Sequence, residues 1–118
     1  FAEHAVLLFK TANEQKIQMF MTATTVTDLY YIARKERSKE VALSFIEDLI
    51  QFVGLISVDK NIILKALRSD IPDFEDAIQV FCANQEKIET IVTRNEKDFI
   101  MSNLDIKSPK AFLQKCQA

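Results

Sequence analysis

Two short hydrophobic runs with helical segments between them most constrain the fold of this chain. Ile17–Ala23 (IQMFMTA) and Phe52–Val58 (FVGLISV) have the length of single strands. Runs of this kind suit parallel strands covered on both faces. Between them the apolar residues change to helical spacing. Val26, Leu29, Tyr30 and Ala33 form one stripe, and Val41, Ala42, Phe45, Ile46 and Leu49 form the next. Strand, helical crossover and strand imply parallel pairing with a right-handed connection. Helices should then cover both faces of the sheet.

The rest of the chain continues the pattern. Phe1–Gln15 places Ala5, Leu8, Phe9 and Ala12 on one helical face. Thr24 and Thr25 are candidate caps for the helix after the first strand. That helix is expected to run to about Arg34, with Asp28 in its first turn. Ser38 is placed to cap a third helix, and Asp59 to begin a fourth that carries Ile62, Ile63, Ala66 and Leu67. Ile71–Phe99 reads as a loop, a helix, a short strand and an acidic loop. Its helix follows Pro72-Asp73, buries Phe74, Ala77, Ile78, Phe81 and Cys82, and closes at Asn84-Gln85. Glu89–Thr93 is the strand. Asp105–Lys107 is a last short strand, and Pro109 starts a final helix with Ala111, Phe112 and Leu113, a position proline favours. The expected order is α-β-α-α-β-α-α-β-β-α. With 118 residues it fits one domain spanning 1–118.

Composition removes several function classes. A net charge of −2 gives no general attraction to nucleic acid, so such a role needs a local basic patch or a metal. One glycine leaves no glycine-rich phosphate loop, which argues against a phosphatase built on one. Cys82 and Cys116 lack metal-ligand spacing and read as reduced thiols of a cytoplasmic protein. No apolar run approaches the roughly 20 residues of a membrane span. His4 is the single histidine and receives no role.

The acids carry the functional signal. A helix leading into a strand runs antiparallel to it, so Asp73 and Asp76 belong at the strand edge that Asp98 also occupies. In open α/β sheets this carboxyl edge binds ligands. Asp28 follows the first strand by one cap and one helical turn and reaches the same edge. Gathered carboxylates repel one another unless a divalent cation neutralises them. Mg²⁺ and Mn²⁺ prefer such oxygen donors and retain several waters. A cation held this way activates water and stabilises charge on a phosphodiester. The same residues also have plain structural uses. Asp73 is a good N-cap, and acids in a first turn suit the helix dipole.

At these residues the chain resembles a PIN domain, specifically its VapC-type toxin ribonucleases. The matching pieces are Thr27-Asp28, Asp73-Phe-Glu-Asp76-Ala77, Thr93-Arg-Asn-Glu-Lys-Asp98-Phe99 and the tail Ile106-Lys-Ser-Pro109…Phe112-Leu113. The resemblance implies a three-layer α/β/α fold with a short, mainly parallel sheet. It implies an acidic pocket of Asp28, Asp76 and Asp98 that holds Mg²⁺ or Mn²⁺, with Asp73 as a further metal-side acid. Thr93 and Asn95 would support the pocket. Arg94 and Lys97, beside Asp98, would hold phosphates of a single-stranded or structured RNA, although loop cations are also commonly just solvated. Tyr30 and Tyr31 are candidates to stack on bases, with Tyr30 also expected in the core.

Two departures from the pattern matter. Such domains usually begin with a middle strand ending in an aspartate, which this chain lacks, so three of four acids remain and the domain reads as N-terminally truncated. A parallel sheet without its middle strand leaves backbone groups unpaired, so a further segment or a second copy is expected to fill the gap. Homo-oligomerisation follows from that expectation. Asp28 also stands where the family more often has glutamate, so its contact to a metal would run through water. The implied function is a metal-dependent endoribonuclease, the toxin of a bacterial toxin–antitoxin pair with an antitoxin protein as partner. The alternative is a non-catalytic PIN-like module that binds protein or RNA.

Overall fold

A computed structural model of the chain describes the backbone of residues 2–93 and 104–117 and the side chains of residues 7–93 and 104–116. Its elements are α1 (Ala2–Glu14), β1 (Met19–Thr22), α2 (Ala23–Glu36), α3 (Lys39–Leu49), β2 (Val53–Ile56), α4 (Lys60–Leu67), α5 (Phe74–Gln85), β3 (Thr90–Val92), β4 (Asp105–Lys107) and α6 (Pro109–Gln117). This is the expected order of helices and strands, and all strand pairing among the described residues is parallel. The chain forms two compact units, Phe1–Ser57 and Val58–Ala118.

In the first unit β1 pairs with β2 in parallel, with Met19 opposite Val53 and Thr22 opposite Ile56. Met21, Leu29, Leu49 and Val53 form the buried centre, and Phe9, Met19, Val26, Phe45 and Ile46 pack around it. The helical stripes of α2 and α3 therefore meet the inward residues of the two strands. The strands are not covered throughout, because Phe20 and Leu55 remain about half exposed. The Phe20 ring lies over Gly54, where an added Cβ would stand 2.7 Å from Cδ1. Glycine is needed there because the ring occupies the space of a side chain. Val41 belongs to the α3 stripe by spacing but is exposed, since Ala42 and Leu49 take the buried positions.

The second unit is built on α4 and α5, which bury Ile62, Ala66, Ala77, Ile78, Val80, Cys82 and Ala83. Alanine and cysteine at these positions let two short helices approach closely. Leu67 and Phe74, expected in this core, are exposed because they lie at helix ends beyond the mutual contact. Val80 and Ala83 are buried instead, since α5 packs on both α4 and β3. β3 pairs with β4 in parallel, with Thr90 opposite Asp105 and Val92 opposite Lys107.

Several helix ends follow from single residues. Ser38 Oγ, Asp59 Oδ1 and Asp73 Oδ1 accept from Val41, Ile62 and Asp76 N–H at 3.2, 2.9 and 2.9 Å. At α6, Ser108 Oγ accepts from Ala111 N–H at 3.0 Å. At the other ends of α1 and α5, Lys16 and Lys87 adopt φ of 58° and 57°. The following amides close each helix: Ile17 N–H donates to Ala12 O, and Ile88 N–H to Ala83 O, both at 2.8 Å. This is the Schellman arrangement, which usually carries glycine at the left-handed residue.

Candidate functional site

Asp28, the first candidate acid, lies in α2. This helix starts earlier than its sequence suggests, because the cap is Thr22 rather than Thr24 or Thr25. Thr22 is the last residue of β1 and is 2% exposed. Its Oγ1 accepts from Thr25 N–H at 3.3 Å and lies 2.8 and 3.0 Å from the hydroxyls of Thr24 and Thr25. A strand that ends in its own cap needs no linker, so α2 begins at Ala23. Asp28 consequently falls in the second turn, not the first. It is exposed, and its carboxylate makes no hydrogen bond or ion pair among the described residues. The Thr-x-Thr-Thr spacing contained this signal, since Thr22 precedes Thr25 by the three residues a cap requires.

Asp73 and Asp76 lie at the start of α5. Asp73 Oδ1 holds the Asp76 amide at 2.9 Å, so the two acids are brought together and one fixes the backbone of the other. Asp73 is exposed and Asp76 half-buried. With Asp70 and Glu75 they place four acids within residues 70–76, at a helix start whose dipole favours negative charge. The short connection from α5 to β3 turns the chain back on itself. α5 packs on β3 within the same unit. Thr93 follows that strand directly, and its N–H donates to Lys107 O at 2.9 Å. Asp98, Arg94, Asn95 and Lys97 lie outside the described residues.

Asp59 serves at another helix start. It caps α4 and, after burial itself, helps raise the Cys82 thiol above its ordinary range, with Glu86 adding to the effect.

A family model described as PIN domain matches residues 1–97. The chain belongs to the PIN domain family. The match takes in Asp28, Asp73, Asp76 and Thr93 and ends one residue before Asp98. No curated protein matches the chain. PIN domains generally have nuclease activity and typically use divalent metals. The PIN domain's candidate acids are all carboxylates, hard oxygen donors of the kind that suits a hard divalent cation. No described helix is long and apolar enough to cross a membrane.

Proposed function

We propose that this PIN domain is a metal-dependent endoribonuclease. The observation that carries the reading is the start of α5, where Asp73 fixes the amide of Asp76 within a chain of PIN type. Asp76, Asp28 and Asp98 would hold Mg²⁺ or Mn²⁺, with Asp73 beside them. When bound, such a cation supplies charge to the scissile phosphate and lowers the pKa of a water. The chain's own contribution is positional. Asp73 locks the first turn of α5, and the half-buried Asp76 presents its carboxylate from a rigid helix. Asp28 stands on the solvent side of α2, and its short side chain suits a water-bridged contact. Arg94 and Lys97 would bind phosphates, and Thr93 and Asn95 would support the pocket.

The finer reading follows from the same resemblance. The substrate is single-stranded or structured RNA in the cytoplasm, the protein is a toxin held by an antitoxin, and it works as a homo-oligomer. The deciding experiment is RNA cleavage by wild type and Asp76→Asn, with and without EDTA. Asparagine keeps the size and helix-start compatibility of aspartate but removes its charge. Cleavage should require Mg²⁺ or Mn²⁺ and fall at least a hundredfold in Asp76→Asn, with the melting temperature nearly unchanged. Cleavage indifferent to both chelation and substitution would refute the mechanism and leave a binding module.

A further inference from the structure

The solvent face of α2 and the turn into α3 carry features that the candidate acids do not use. Arg34, Lys35, Arg37 and Lys39 place four of the chain's 15 basic residues within six positions. An average six-residue stretch of this chain would hold fewer than one. All four are exposed, and none is ion-paired among the described residues. The acids nearest in sequence, Glu36 and Glu40, are exposed as well, so the stretch stays net positive on a chain that is net negative.

An aromatic ring adjoins this charge. Tyr31 is 62% exposed, although burying a tyrosine ring normally stabilises a fold. It is held in place by Tyr30, whose half-buried ring meets it edge-on with centroids 5.1 Å apart. Tyr31 and Lys35 are four residues apart and are neighbours on one helix face. Asp28 lies three residues before Tyr31 on the same face. The face therefore reads acid, aromatic, base over about 10 Å of helix. Leu29, on the opposite side, is buried.

We propose that this face is a track for single-stranded RNA leading to Asp28, a reading that rests on the nuclease assignment above. Arg34, Lys35, Arg37 and Lys39 hold backbone phosphates, and Tyr31 stacks on a base. Cations that follow a backbone beside an aromatic platform are how single strands are bound without sequence preference. Charge complementarity selects a polyanion, and the exposed ring selects one whose bases are unpaired. The ring finds no such partner in a duplex, whose bases are already stacked.

The test is binding of a fluorescent, unstructured 15-nucleotide RNA to the full chain in EDTA, read by anisotropy across a salt series. Replacing all four cations with alanine should weaken binding more than tenfold and flatten the salt dependence by about 3 log units per log unit of salt. Tyr31→Ala should weaken single-strand binding about tenfold while leaving the salt dependence intact. The pair Arg37→Ala/Lys39→Ala, outside the helices' buried stripes, repeats the test should the fourfold variant fold poorly. Unchanged affinity in these variants overturns the proposal. So does equal binding of duplex RNA with no effect of Tyr31→Ala, which would mark a general polyanion surface. Because EDTA removes catalysis, loss of the nuclease reading alone leaves the binding result intact. Conversely, metal-dependent cleavage with undiminished binding by the four-alanine variant overturns the track and spares the nuclease.

Discussion

Asp73 and Asp76 are three residues apart, yet the structure gives them separable tasks. Asp73 is an N-cap, and Asp73→Ala should cost about 1 kcal/mol of stability, measured by urea unfolding. Asp73→Asn should cost far less, because asparagine caps equally well. A cleavage defect shared by both Asp73 variants would then report a metal-side role, whereas a defect in alanine alone would report the cap. Cys82 offers a second residue-level expectation. Burial, then Asp59 and Glu86, raise its thiol above the ordinary value. The native state thus keeps this proton to higher pH than the unfolded chain does. The associated stability is complete below about pH 8.5 and is lost as pH rises through the native value. Stability of wild type should therefore decline more steeply above pH 8.5 than that of Cys82→Ala. A parallel decline in both proteins would exclude the thiol as its source.

At the scale of elements, the left-handed lysines define a stability margin. Lys16 and Lys87 occupy the Schellman position without the freedom of glycine. Each L-residue there costs roughly 1–2 kcal/mol, partly offset by the greater entropy glycine loses on folding. Lys16→Gly and Lys87→Gly should each raise stability by about 0.5–1 kcal/mol, seen as higher melting temperatures. Neither side chain caused these turns to be anticipated, because lysine carries no left-handed signal in sequence. The caps at Ser38, Asp59 and Asp73 and the proline at the start of α6 were legible, since each is a local device with a fixed offset. The start of α2 was less so. Thr22 serves at once as the end of a strand and as a cap, and three nearby threonines compete for that role. Exposure of Val41, Leu67 and Phe74 was not legible either. Periodicity gives a face of a helix, but which turns of that face are covered depends on the length of the partner. Of the candidate site, the link from Asp73 to the Asp76 amide was legible, because a cap acts at a fixed offset of three residues.

At the scale of the whole molecule, each of the four described strands has a single ladder partner, so each shows an unpaired edge among the described residues. Edges of this kind recruit further strands. Under the proposed homo-oligomer, light scattering at rising concentration should show a mass above that of one 13.6 kDa chain. A constant monomer mass would count against it. The two strand pairs also differ in how far the chain must travel to make them. Met19 meets Val53 across the whole α2–α3 hairpin, whereas Thr90 meets Asp105 only 15 residues away. Loop-closure scaling makes the longer connection dearer by about 0.7 kcal/mol for a flexible chain. Prior formation of α2 and α3 shortens that path, so the order of assembly should run from helical hairpin to strand pair. Substitutions that weaken α2 against α3 would then slow refolding, and those confined to the β1–β2 ladder would chiefly hasten unfolding.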